Sequence, residues 1–77
     1  MNSVYIVYAT NIWKQIPATI YAVCKDIASL QKAVARGIEE DIFSWDDDFG
    51  FGYDEVLTIY ELNQALVYGY AEEREVE

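Results

Sequence analysis

Residues 3–9 read Ser3-Val4-Tyr5-Ile6-Val7-Tyr8-Ala9, and this stretch decides the fold class. β-Branched and aromatic side chains crowd a helix but sit well on the pleated surface of a sheet, so the run predicts a strand. Side chains alternate across a strand, which sets Val4, Ile6 and Tyr8 on one face and Tyr5, Val7 and Ala9 on the other. A second run, Ala18 to Cys24 (ATIYAVC), has the same character. The connection from Thr10 to Pro17 suits a hairpin and is too short for a parallel crossover, so the two strands are expected to pair antiparallel. Pro17 lacks the N–H that a central strand needs, which keeps it in the connection.

The hydrophobic period then changes. Ile27, Leu30, Val34, Ile38 and Ile42 recur three to four residues apart, the spacing of one helix face. Asp26 stands just before them as a cap for the free N–H groups of the first turn. The spacing predicts one helix from about Ile27 to Phe43, with a weak point at Gly37, since glycine in mid-helix costs about 1 kcal/mol relative to alanine. Ser44 to Asp54 (SWDDDFGFGYD) reads as an acidic, glycine-containing loop with some of its aromatics packed beneath it. Glu55 to Leu62 (EVLTIYEL) reads as a third strand and Ala65 to Ala71 (ALVYGYA) as a fourth, with a tight turn at Asn63-Gln64. The tail from Glu72 to Glu77 either extends the last strand or frays. The expected architecture is a single α+β domain over residues 1–77: a four-stranded antiparallel sheet with one helix on one face, in the order ββ-α-ββ.

One helix covers only one face of such a sheet, yet both faces are apolar or aromatic. Six of the seven tyrosines fall in the expected strands. Tyrosine tolerates half-burial, so the second face is either a contact surface or a wall of cross-strand tyrosine pairs.

Seventy-seven residues suffice for one domain, but so small a core leaves a margin of only about 3–5 kcal/mol. Cys24 is the sole cysteine and there is no histidine, which excludes an internal disulfide and a structural zinc site. The lone cysteine fits a reducing, cytoplasmic setting, the host cytoplasm if the chain is phage-encoded. Cys24 lies in an apolar run and is expected to be inert and buried. No positive side chain precedes the first apolar stretch, and no apolar run approaches about 18 residues. Neither a signal peptide nor a membrane span is therefore expected, and the chain reads as a whole open reading frame from Met1.

Charge is strongly divided. Residues 1–38 carry four bases and one acid, a net of +3, and residues 39–77 carry thirteen acids and Arg74, a net of −12, which sum to −9. This balance opposes direct binding to nucleic acid or to anionic membrane, and it admits a basic protein partner. Its bland explanation is solubility of a tyrosine-rich domain.

The motifs that carry chemistry fail on spacing. Asp46-Asp47-Asp48 is not an EF-hand loop, because the required glycine position holds Phe51 and the bidentate glutamate position holds Leu57. Gly50-Phe51-Gly52 lacks the third glycine and the strand-to-helix setting of a phosphate cradle. Ser3, Ser29 and Ser44 have no base in any recognisable arrangement, so no enzyme, cofactor or metal is expected. The remaining signal is acidic. Glu73, Glu75 and Glu77 alternate, and in an extended strand they share a side at intervals of about 6.6–6.8 Å. Carboxylates held at such intervals imitate a row of phosphates and suit a basic groove that normally holds nucleic acid. The candidate partner-binding residues are Asp46, Asp47, Asp48, Asp54, Glu55, Glu72, Glu73 and Glu75, with Trp45 and Phe49 as aromatic anchors.

The opening SVYIVYATNIW, the single expected helix, the tyrosine-rich strand pair and the acidic second half together resemble the short acidic orphan proteins encoded by bacteriophages and mobile elements. Several proteins of that kind inhibit host nucleic-acid machinery, including restriction and CRISPR effectors. The resemblance implies a small acidic protein-binding module, an inhibitor that engages a basic, nucleic-acid-handling host protein. The alternative is a self-assembling accessory domain that forms a homodimer through its tyrosine-rich sheet.

Overall fold

The computed structural model describes residues 2–11, 13, 15 and 18–76; the readings of Pro17 and Glu77 lie outside these. Strand β1 (Asn2–Ala9) is central in a three-stranded antiparallel sheet, flanked by β2 (Thr19–Cys24) and β5 (Gly69–Val76). Helix α1 (Ile27–Glu39) follows β2. A second, two-stranded ladder joins β3 (Ser44–Trp45) to β4 (Leu66–Val67). Between these lie two 3₁₀ turns, Asp47–Phe49 and Tyr53–Glu55, and a second helix, α2 (Ile59–Ala65). The fold is thus α+β, as its first strand announces. In place of one sheet of four strands and one helix there are two sheets and two helices among the described residues.

The departure is concentrated in residues 55–71. The stretch read as a third strand becomes a 3₁₀ turn and the start of α2, and the expected turn at Asn63-Gln64 lies inside that helix. Thr58 caps the helix by accepting the Glu61 N–H through Oγ1, and Glu61 Oε1 reaches back to the Leu57 N–H and the Thr58 hydroxyl. Such a cap is worth about 1 kcal/mol, and Leu62 and Ala65 bury the inner side of the helix. Local capping and helical burial here override the β propensity of Val56, Thr58, Ile59 and Tyr60. The chain then crosses into β4, turns at Tyr68 with φ of +69°, and enters β5. Residues 65–71, read as one strand, are therefore the end of α2 and parts of two strands in two ladders. The tail does not stop at Ala71: β5 pairs with β1 as far as Val76.

Helix α1 ends four residues earlier than its hydrophobic spacing suggests. Asp41 adopts φ of +64°, the Ile42 N–H bonds to the Gly37 carbonyl at 2.8 Å, and the Asp41 N–H bonds to the Ile38 carbonyl at 3.1 Å. This is a Schellman ending with aspartate in the position glycine usually takes. Buried Asn11 secures it by donating from Nδ2 to the Ile42 carbonyl at 2.9 Å. Gly37 is thus an interior residue with a packing role. The Phe43 ring lies against it and against Gly69 of β5, so a Cβ at Gly37 falls 2.2 Å from the ring and one at Gly69 falls 2.4 Å from it. Phe43 is 2% exposed.

Leu30, Ala33, Val34 and Gly37 are the buried face of α1, and they meet Val7, Ala9 and Ala71 from the inner side of the sheet. Helix α1 packs over β1 and β2, and α2 packs beside β5. All of the helical cover is on one side.

Candidate functional site

The sheet's outer face is the first feature that the architecture leaves open. Register pairs Tyr8 with Tyr70, Ile6 with Glu72 and Val4 with Arg74 across β1 and β5, and pairs Ile6 with Val23 and Tyr8 with Ile20 across β1 and β2. A β-bulge sets this last pair. Tyr21 is the extra residue between Ala22 and Ile20; the bulge turns it toward the helices, where its ring meets Phe43 edge-on at 5.1 Å. Ile20 then returns to the outer face. Ile20 and Val23 are each 60% exposed and Tyr70 is 43% exposed. Tyr8 and Tyr70 stack with ring centroids 4.8 Å apart.

One border of this face is acidic and bonded. The Tyr8 hydroxyl donates to Glu72 Oε1 at 2.6 Å, and Arg74 Nε donates to the same oxygen at 3.0 Å. The Tyr8 bond holds the Glu72 carboxyl below its ordinary range and raises the Tyr8 phenol. Glu73 and Glu75 are exposed on the same strand.

The other expected acids divide. Asp46 accepts the Asp48 N–H at 3.0 Å and so caps the first 3₁₀ turn, which also carries Asp47. That turn packs against α2, and α2 packs against β5, so α2 stands between Asp46–Asp48 and the β5 acids. Asp54 and Glu55 lie on the second 3₁₀ turn, which packs against α1 instead. Glu55 closes its own turn by accepting the Gly52 N–H at 3.0 Å.

Trp45 is half-buried. Its Nε1 donates to the Phe51 carbonyl at 2.9 Å, and its ring meets Phe51 and Tyr53 edge-on at 6.1 Å each. It organises the loop from within. Phe49 is 45% exposed and touches only the edge of this cluster, at Phe51. Among the described residues no three carboxylate or thiol side chains converge where a metal ion could sit, and no helix is long and apolar enough to cross a membrane. Cys24 is buried, and burial raises its thiol pKa, which lowers its reactivity.

Two basic side chains stand beside β2, on the flank of the sheet away from β5. Lys32 and Arg36 stand on α1 beside β2, above a groove lined by residues 21–24. At its margin the Tyr21 hydroxyl donates to Glu40 Oε1 at 2.7 Å. Burial, and then this bond, push the Tyr21 phenol from its ordinary 10.0 to about 12. The contribution to stability is full below the unfolded value and is lost as pH rises through the folded one. An alkaline absorbance titration is expected to show a late tyrosine step near pH 12 that Tyr21→Phe removes. A profile unchanged by that substitution contradicts the assignment.

Sequence reasoning named the acids but missed Ile20, Val23 and Tyr70 as an exposed set. The alternation of Val4, Ile6 and Tyr8 pointed to the face; the bulge that brings Ile20 onto it left no sequence signature. No family model, curated protein or solved structure matches this chain.

Proposed function

We propose that this chain is an acidic protein-binding module, an inhibitor of the phage type that engages a basic, nucleic-acid-handling host protein in the cytoplasm. The observation that carries the reading is the uncovered outer face of the sheet, apolar at Ile20, Val23 and Tyr70 and bordered by Glu72 on β5, an edge strand whose other side carries Glu73 and Glu75. Contiguous exposed apolar surface rimmed by charge is the usual form of a protein-contact patch. Tyr70 is the anchor of that patch, and the β5 carboxylates, continued by Asp46, Asp47 and Asp48 beyond α2, supply the attraction to a basic surface. The chemistry is recognition, with no catalytic step.

The test is capture of the partner from host lysate, followed by affinity measurements on the purified pair between about 0.05 and 0.5 M salt. Affinity is expected to fall steeply with salt, and Glu73→Gln with Glu75→Gln, or Tyr70→Ala alone, is expected to weaken it about tenfold. Affinity that ignores salt and these substitutions refutes the reading. The stacked Tyr8 and Tyr70 pair favours one second reading, a homodimer that closes the same face on itself. Light scattering across concentration separates the two, and a monomer at about 1 mM removes the dimer.

A further inference from the structure

We infer that the groove between β2 and α1 is a docking site for an extended acidic segment of a partner protein, which joins the sheet along the open edge of β2. The groove has a volume of about 280 Å³ and is bordered by residues 21–24 on one side and by Ser29, Lys32, Ala33 and Arg36 on the other. Because of the bulge, Tyr21, Ala22 and Cys24 face α1, whereas the Val23 side chain leaves the opposite face, so Val23 borders the groove through its backbone at the strand's edge. The other edge of β2 is occupied by β1.

Hydrogen-bond alternation identifies the backbone groups on offer. Asn63 bonds both the N–H and the C=O of Ala71 from outside the sheet, so Val7, opposite Ala71, turns its own backbone groups toward β2. Val7 faces Ala22; the next residue, Val23, therefore presents its N–H and C=O to the open edge. An added strand bonds to these groups, which is the geometry of β-strand addition.

Charge selects the occupant. The chain carries a net charge of −9 with only five basic residues, and two of them form this wall. Neither Lys32 nor Arg36 is paired with a carboxylate among the described residues. Two acids stand at the margins: Asp26, which accepts the Ser29 N–H at 2.7 Å and also feels Lys32, and Glu40, which accepts the Tyr21 hydroxyl at 2.7 Å; neither forms an ion pair with Lys32 or Arg36. Lys32 and Arg36 stand one helical turn apart, a rise of about 6.0 Å. Carboxylates at alternate positions of a strand stand about 6.6–6.8 Å apart, so an acid-x-acid segment meets both cations at once. The chain's own β5 has this spacing at Glu73 and Glu75, but Asn63 occupies its edge at Ala71, and two copies of net charge −9 repel. The occupant is therefore another protein. The inference is independent of the acidic-face reading, because it uses the opposite edge of the sheet.

The probe is a fluorescein-labelled peptide, Thr-Glu-Val-Glu-Val-Glu-Thr, titrated with the intact protein and followed by anisotropy. Saturable binding is expected. Lys32→Glu with Arg36→Glu is expected to weaken it about tenfold or more. Glutamine in place of the peptide glutamates is expected to do the same. Backbone N-methylation of the peptide at one set of alternate residues is expected to abolish binding while methylation of the other set leaves it intact, a signature that charge attraction alone does not produce. Circular dichroism of the double variant checks that the fold is kept. Absence of binding at about 1 mM protein, or indifference to the charge reversal or to the methylation register, overturns the proposal. Self-association that the double variant dissolves overturns the choice of occupant.

Discussion

Phe43→Ala is expected to remove about 3–5 kcal/mol of stability, the range for truncating a fully buried aromatic. A domain of this size has a total margin of about the same magnitude, so the variant is expected to be largely unfolded at 37 °C. Phe43 sits between the last turns of α1 and the first residue of β5, with Gly37 on one side and Gly69 on the other, and Tyr21 meets its ring edge-on. Removing the ring opens a cavity that rigid backbone on both sides cannot close, and it uncouples the helix from the sheet. Urea unfolding followed by circular dichroism measures the loss. A loss below about 1 kcal/mol shows that the ring is not the link described.

The second large effect comes from the opposite change at the same contact. A Cβ at Gly69 lies 2.4 Å from the Phe43 ring and 2.7 Å from the Tyr8 backbone carbonyl. The ring cannot retreat, because Gly37 is behind it, and the carbonyl belongs to the central strand. Gly69→Ala is therefore expected to destabilise by about 1–3 kcal/mol through overpacking. Gly37→Ala meets the same ring but gains about 1 kcal/mol of helix propensity, so its net cost is expected to be the smaller of the two. In the background of Phe43→Ala, Gly37→Ala is expected to become stabilising, since the ring it met is gone, whereas Gly69→Ala keeps the part of its cost that comes from the Tyr8 carbonyl. Additive losses in the double variants contradict this account.

The parts of the fold that the sequence makes legible are those decided locally. The run from Ser3 to Ala9 is a strand because its side chains fit nothing else, and α1 begins where Asp26 caps it, with the Ser29 N–H on its carboxylate. The end of α1 depends on Asp41 taking a left-handed conformation and on Asn11, thirty residues away in the chain, securing the turn, and no local pattern shows that. The strand read into residues 55–62 rested on β-branched and aromatic composition. Thr58 followed by Glu61 was the opposing signal, a capping pair ahead of Leu62 and Ala65; weighed against composition, it identifies the helix. The acidic residues were legible as a set, but not which of them spend their oxygens locally, as Asp46 and Glu55 do. The groove beside β2 was not legible at all, because an open edge is a property of strand order, and strand order follows from how the whole chain packs.

Asn63 has a consequence for how this sheet meets other chains. Its amide returns both hydrogen bonds of Ala71, so it stands where one residue of a neighbouring strand would stand. Farther along, Glu73 and Glu75 present like charges to any strand that approaches with the same sequence. The molecule thus has one flank that accepts an addition and one that ends it. A stack of copies joined flank to flank stalls at its first junction, which lets a small protein keep an exposed strand edge without seeding fibres.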